Sequence, residues 1–354
     1  MRRQYLGFTR LTPRWIGCRT DDGLPHLGVD PLILGGAGPL GAVRRALFKQ
    51  GGVVPDMDVL RALDSRIVHA QFGRGGALAL PIARALGVPL VVTFHGGDAT
   101  KTTHYRGRLL PTIYQRRLKA LQEHAAAFVC VSGFIRDVLR ERGFPPDKLV
   151  VLHNGVEIGP EVVTADRPYL LFAGRLVAKK GFAHLLEAHR LIGSGAPELV
   201  VIGDGPDRPL GQDRPGLRFL GWQDNAVVRR WMRGALAVCV PSVTAASGDS
   251  EGLPTVAIEA MAEGTPVIGT RHAGIVEAVT DGVTGLLVPQ ADPHALAAAI
   301  AFLRDNPDRR TAMGHAARAR AITDFDAVTQ SRRLEDLLLS LAPNRPPSAG
   351  NGRT

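Results

Sequence analysis

Tyr169-Leu170-Leu171-Phe172-Ala173-Gly174-Arg175-Leu176-Val177-Ala178-Lys179-Lys180-Gly181 is the stretch that decides how this chain is read. Tyr169–Ala173 is an apolar run of strand length, and Phe182–Ile192 follows with helical spacing. A glycine at the end of the run, then Arg175 and Lys180 five positions apart, puts two cations where a strand hands over to a helix. In open α/β sheets ligands sit at such junctions. Arg175 offers a planar fork and Lys180 a point charge, a pair suited to a diphosphate. An exposed basic turn would look the same locally. The flanks decide between the two.

Outward from this stretch, strand and helix alternate. On the C-terminal side the strands are Glu198–Ile202, Leu217–Leu220, Leu236–Val240, Pro266–Gly269 and Gly285–Val288. Helical spacing covers Asp224–Arg233, Pro254–Glu263, Pro293–Arg304, Arg309–Thr323 and Ala327–Leu341. On the N-terminal side, strands Arg66–Ala70, Pro89–Phe94, Ala127–Val131 and Leu149–Leu152 alternate with helices over Ala77–Leu86 and Thr112–His124, and Ser132 is placed to cap the next helix. The segment 156–168 has no period and reads as a linker. The expected fold is α/β: two doubly wound, Rossmann-like domains facing across a cleft. Residues 1–155 form the first domain and 169–325 the second. Residues 326–341 are a helix returning to brace the first domain, and 342–354 are a disordered Pro/Gly-rich tail.

A second motif lies beyond strand Leu236–Val240: Asp249-Ser250-Glu251-Gly252-Leu253-Pro254-Thr255-Val256-Ala257-Ile258-Glu259. Pro254 suits a first helical turn, and free amides near Leu253, Thr255 and Val256 would offer a phosphate site. Glu251 lies in the loop ahead of this helix. Glu259 stands among Val256, Ala257, Ile258, Ala260 and Met261. A carboxylate in so apolar a helix needs a partner, and a diol would serve.

Composition limits the alternatives. Cys18, Cys130 and Cys239 are widely spaced and form no metal-ligand pattern, which fits a reducing, cytoplasmic setting. The greasiest stretch, Gly76 to Val92, contains Arg84, Pro81 and Pro89 and does not read as a membrane span. Charge is uneven: residues 1–150 carry 22 Lys+Arg and 11 Asp+Glu, whereas residues 151–354 carry 21 and 22. The basic half suits an anionic lipid surface or a phosphate-bearing acceptor. Arg106, Arg108, Arg116, Arg117 and Lys119, interleaved with Leu109, Leu110, Ile113 and Leu118, suggest a basic amphipathic stretch over 106–123 that could rest on the inner leaflet. No zinc finger, RNP-like motif or helix-turn-helix points to nucleic acid.

The run Gly174-Arg175-Leu176 to Lys180-Gly181, followed by Glu251-Gly252 to Pro254 and Glu259-Ala260-Met261-Ala262, resembles glycosyltransferase family 4. So do Val201-Ile202-Gly203-Asp204-Gly205-Pro206, Phe219-Leu220-Gly221-Trp222 and Asp281-Gly282 with Gly285-Leu286-Leu287-Val288-Pro289. His69-Ala70-Gln71-Phe72-Gly73 with Phe94-His95-Gly96-Gly97-Asp98 resembles the bacterial colanic-acid and exopolysaccharide transferases in particular. The resemblance covers nearly all of residues 66–330 and implies the GT-B fold and a retaining transfer from a UDP- or GDP-linked sugar to a saccharide or lipid-linked acceptor. It further implies that Arg175 and Lys180 bind the diphosphate, that Glu259 holds the ribose, that Glu251 contacts the sugar, and that His95 lies near the reaction centre. Gly174, Gly252, Leu253, Pro254 and Thr255 would line the donor site. No metal or other cofactor is expected, because two fixed cations stand where a metal would otherwise be needed. Asp98 reads more simply as a helix cap.

Family members open with an apolar strand and a Gly-rich loop. Here Met1–Tyr5 leads straight to Arg14-Trp15-Ile16-Gly17-Cys18-Arg19, which looks like the family's second strand, so the first N-terminal strand is expected to be missing. That motivates an alternative: a catalytically silent scaffold with the same fold. Gly36-Ala37-Gly38-Pro39-Leu40-Gly41 contains a GxGxxG pattern and raises an NAD(P)-dependent oxidoreductase as a further alternative; against it, Pro39 interrupts the loop and no hydride-transfer constellation follows. Asp249-Ser250-Glu251 resembles the metal-binding DxD of another transferase fold, against which the two-domain alternation argues.

Overall fold

A computed structural model describes residues 2–18, 31–101, 111–160, 169–208 and 215–343. The N-terminal half holds β1 (Ile16–Gly17), β2 (Leu32–Ile33), α1 (Gly38–Gly51), α2 (Met57–Ala62), β3 (Val68–Gln71), α3 (Phe72–Leu86), β4 (Leu90–Phe94), α4 (Gly97–Thr100), α5 (Ile113–His124), β5 (Ala127–Cys130), α6 (Gly133–Glu141) and β6 (Leu149–Val151). β3 to β6 pair in chain order as a parallel sheet, and β1 pairs with β2 as a separate parallel pair. Among the described residues no strand joins the two pieces. Tyr5 stands between them: its ring meets Trp15 edge-on at 5.2 Å, and its hydroxyl lies 2.9 Å from His69 Nδ1 on β3.

The C-terminal half holds β7 (Tyr169–Ala173), α7 (Phe182–Ile192), β8 (Glu198–Ile202), β9 (Leu217–Gly221), α8 (Asn225–Met232), β10 (Ala237–Val240), α9 (Thr255–Ala262), β11 (Val267–Thr270), α10 (Ile275–Ala278), β12 (Gly285–Val288), α11 (Pro293–Asp305), α12 (Pro307–Asp324) and α13 (Ala327–Leu341). Its six strands run parallel in the order β12-β11-β10-β7-β8-β9. Every residue of β7, β10 and β11 is buried, as expected when helices cover both faces of a parallel sheet. Leu185, Leu296, Ile300 and Leu303 pack on one face, and Ala257, Met261, Ala317 and Ala321 belong to the core on the other.

α13 crosses back. Leu334 and Leu338 pack against Val91, Ala127 and Val129 of the N-terminal sheet. The crossing point is pinned where Val156 N–H donates to Phe325 O (2.8 Å) and Ala327 N–H to Val156 O (2.9 Å). Glu335, fully buried, accepts from the amides of Thr9 (3.0 Å), Arg10 (2.7 Å) and Leu11 (2.8 Å) and so docks the N-terminal segment on α13. Burial alone would raise its carboxyl; those amides and Arg10 outweigh burial and hold it below the usual carboxylate range.

Three expectations change. Helix α3 begins at Phe72, so the Gly-rich stretch before Ala77 is helix rather than turn. A Cβ on Gly73 would lie 2.7 Å from Phe94, and one on Gly76 2.8 Å from Val92, so these glycines serve close helix-to-sheet packing. α1 and α2 were not foreseen. The GxGxxG pattern is the β2-to-α1 turn, with Pro39 in the first helical turn and Gly41 packed against Gly36 O. Finally, of the stretch 106–123, residues 106–110 lie outside the described residues, and the described part is a packed helix. Tyr114 and Leu121 are buried, and Leu118 packs against the core. Of the linker, 161–168 lie outside the described residues, as do 344–354 of the tail.

Candidate active site

The order of the six-stranded sheet reverses between β7 and β10, since the chain steps outward through β8 and β9 on one side and through β11 and β12 on the other. Crevices for ligands open at such switch points, at the carboxyl ends of the strands. The loops leaving β7 and β10 carry the two sequence motifs. They touch because of Gly181, whose φ is +66° and where a Cβ would stand 1.8 Å from Pro241 O. Any other residue would push the lysine turn away from the second loop.

That contact brings opposite charges together. Lys180 Nζ lies 3.2 Å from Glu251 Oε1, and Lys179 Nζ lies 3.7 Å from the same oxygen and 3.2 Å from Asp249 Oδ1. Lys101 of the N-terminal half reaches Asp249 Oδ2 at 3.1 Å. Glu251 Oε1 is buried, and despite two lysines nearby no hydrogen bond of good geometry reaches it. Arg175 is exposed and has no ion-pair partner among the described residues.

Gly252, Leu253 and Pro254 are buried, and Pro254 precedes α9, whose first residue, Thr255, is exposed. Ser250 Oγ, one residue before Glu251, lies 2.6 Å from His272 Nε2. Burial lowers the His272 pKa, and Glu251 partly opposes this. Along α9, Glu259 is 7% exposed and accepts from Asn225 Nδ2 (3.1 Å) while pairing with Arg3 of the N-terminal segment.

From the other side comes His95, just past β4. A Cβ on Gly252 would lie 2.1 Å from His95 O, and one on Gly96 2.9 Å from Gly252 N, so the two halves meet backbone to backbone. Asp98 accepts from the amides of His95 (3.1 Å), Gly96 (2.9 Å) and Gly73 (3.1 Å). It therefore ties the histidine loop to the start of α3 rather than capping its own short helix. Gln71 Oε1 lies 2.7 Å from His95 Nε2, and the Phe72 ring packs on the imidazole with centroids 4.7 Å apart. Burial lowers the His95 pKa to about 4. Ser132 Oγ donates to Gly252 O (3.1 Å), and Glu277 accepts from the amides of Gly133 (2.7 Å) and Phe134 (2.8 Å) at the start of α6, closing the halves further.

Of the residues singled out in the sequence, Lys180, Glu251, Gly252 and His95 converge. Gly174 adjoins Lys180, with a Cβ position 3.8 Å from its Cε. Arg175 stands at the solvent edge, and Glu259 lies farther along α9. Lys179, sitting inside the quoted motif, was passed over, although adjacency to Lys180 was a signal. Lys101, Asn225 and His272 carried none. Asp249 faces two lysines, so the DxD likeness is only local.

Two α/β halves built on parallel sheets, with paired cations at the switch point of the second, have the layout of a GT-B glycosyltransferase. Residues 16–160 match the family described as Glycosyltransferase Family 4, and residues 167–306 that described as Glycosyl transferases group 1. The amylovoran biosynthesis glycosyltransferase AmsK of Erwinia amylovora is 30% identical over 299 residues, 79% of this chain and 71% of that protein. WcaL of Escherichia coli, named for colanic acid biosynthesis, is 31% identical over 290 residues, 77% of this chain and 70% of its own. HepE of Anabaena, solved in complex with UDP, shares the fold with a TM-score of 0.71 at 19% identity, over 90% of this chain and 88% of that one. Sucrose-phosphate synthase from Thermosynechococcus elongatus superposes with a TM-score of 0.69 at 24% identity, over 90% and 84%. The chain belongs to glycosyltransferase family 4. The oxidoreductase reading of the Gly36–Gly41 turn is thereby set aside.

Proposed function

We propose that this protein is a retaining, metal-independent glycosyltransferase that moves a sugar from a nucleoside diphosphate sugar to a saccharide or lipid-linked acceptor during assembly of an extracellular polysaccharide. The observation that carries it is the buried Glu251 oxygen, flanked by Lys179 and Lys180 and lacking a hydrogen bond. A buried acceptor of this kind calls for a donor, and a sugar hydroxyl fits. The lysines then face the diphosphate, with Arg175 at the rim and the first amides of α9 adding donors. Glu259 is set to take a ribose diol. As the sugar–phosphate bond breaks, charge grows on the diphosphate and these cations stabilise it. The acceptor attacks the same face, and a leaving-phosphate oxygen takes its proton. The UDP complex of HepE and the names of AmsK and WcaL support a nucleotide donor and a polysaccharide product.

The test is a screen of UDP- and GDP-sugars for hydrolysis and transfer in EDTA, with product configuration read by NMR. Retention without added metal is expected. An inverted product, or no turnover of any nucleotide sugar, would overturn the proposal; the latter would favour a silent scaffold.

Peripheral attachment to an anionic cytoplasmic leaflet is part of the same proposal, now through α1. Leu40, Val43 and Leu47 form an exposed stripe on this helix (63%, 55% and 52% exposed), with Arg44 beside them. No helix among the described residues is long and apolar enough to cross a membrane. Sedimentation with anionic but not zwitterionic liposomes, weakening with salt, is the expected result.

A further inference from the structure

Gln71 is the last residue of β3, in register with Thr93 on β4, two residues before His95. Its amide joins two histidines through a continuous chain. Gln71 Nε2 lies 3.1 Å from the Tyr5 hydroxyl, that hydroxyl 2.9 Å from His69 Nδ1, and His69 Nε2 2.7 Å from Thr93 Oγ1. At the other end, Gln71 Oε1 meets His95 Nε2 at 2.7 Å.

The donor and acceptor inventory sets the sense of the two Gln71 links. An amide nitrogen only donates, so the Tyr5 oxygen accepts from Gln71. Its single proton is then free for His69 Nδ1, which leaves His69 Nε2–H to donate to Thr93. An amide oxygen only accepts, so His95 Nε2 must carry a proton. Burial keeps both imidazoles neutral, each lowered to about 4. His95 Nδ1 is therefore left bare. Turning the Gln71 amide over would reverse the whole chain and move the His95 proton to Nδ1.

Phe72 adds a second constraint. Its φ is +65°, a left-handed conformation that a bulky side chain rarely adopts. Strain of this kind persists where the surroundings over-determine it, and it clusters at functional sites. Here it lays the Phe72 ring on His95.

We propose that Gln71 is a positioning residue for glycosyl transfer, locking His95 as the Nε2–H tautomer with Nδ1 free as an acceptor, while Phe72 holds the ring plane. This rests on the reading that His95 lines the reaction centre. The unliganded protein labelled with ¹⁵N in its imidazoles tests the tautomer without any donor. Nε2–H is expected in wild type, and a mixture of tautomers in Gln71→Met. A wild-type Nδ1–H tautomer, or no change in Gln71→Met, would overturn the proposal.

Kinetics use UDP-glucose, or whichever screened nucleotide sugar turns over fastest. Gln71→Met should lower kcat roughly 10–100-fold, the size of loss when the hydrogen-bond partner behind a metal-ligating histidine is removed, while the donor KM stays nearly unchanged. Gln71→Glu, which keeps the acceptor, should recover most of that loss. An equal rise in KM, or no rescue, would indicate a merely structural role. His95→Ala separates the two readings. Full activity there overturns the placement of His95, whereas a loss there with wild-type kcat in Gln71→Met overturns only the positioning role.

Discussion

The two halves of this chain use the same strand–helix alternation, and they are held together differently. Among the described residues the C-terminal half is one sheet of six contiguous strands, with both motifs on the loops flanking its switch point. The N-terminal half is, among the described residues, split into two strands and four, and its first described segment depends on a helix at the far end of the chain, through Glu335. Where ligand chemistry sits on a strand-to-helix junction, spacing in sequence is close to spacing in space. Where support comes from distant elements, it is not.

Removing one cation tests the difference most strongly. Arg175 is exposed and unpaired among the described residues, so Arg175→Ala should leave the melting temperature alone while cutting turnover roughly 10²–10³-fold. A comparable loss of stability would mean that its part is structural. Acid should separate the halves next. Among the described residues two imidazoles are held down in the folded N-terminal half, His69 and His95, each to about 4, against His272 in the C-terminal half. As pH falls from about 6.5 to about 4, the unfolded chain takes up protons that the folded chain refuses, so stability declines with pH. The expected decline is up to ~1.4 kcal/mol per pH unit for each imidazole. Hydrogen exchange at pH 5 should therefore show β3 and β4 opening before β7 and β10. Simultaneous opening would erase the contrast.

How much was legible follows the same division. The boundaries of β7, α7, β8, β12 and α13 coincide with their apolar periods, because each buries a face defined by its own sequence. Helix α3 was cut short because Gly73 and Gly76 look like turn residues until Phe94 and Val92 are seen against them. α1 was missed because its start, Gly38-Pro39-Leu40-Gly41, reads as a Gly/Pro loop, and only Gly41 and Phe48 of its residues are buried. At the site, Lys180 and Glu251 were readable from motif spacing. The pairing of Glu259 with Arg3 and Asn225 was not, since those partners lie 256 and 34 residues away.

That pairing supplies two smaller tests. Glu259→Gln should weaken binding of a free nucleoside diphosphate by about 1.5–3 kcal/mol, the worth of hydrogen bonds to a charged group, whereas Glu251→Gln should mainly affect transfer. Equal effects in calorimetry would reject the division of roles. Arg3→Ala should act in the opposite direction. It frees Glu259 from a partly exposed ion pair, so nucleotide affinity should rise by about 0.2–1 kcal/mol. A fall would mean that Arg3 contacts the nucleotide rather than competing with it.

The most direct measurement is turnover of the best nucleotide sugar in EDTA by wild type and Lys180→Ala. If the lysine turn stabilises the departing diphosphate, wild-type turnover persists and Lys180→Ala falls roughly 10²–10³-fold, with a smaller change in nucleotide affinity. Wild-type turnover abolished by EDTA and restored by magnesium, or Lys180→Ala at the wild-type rate, would contradict it.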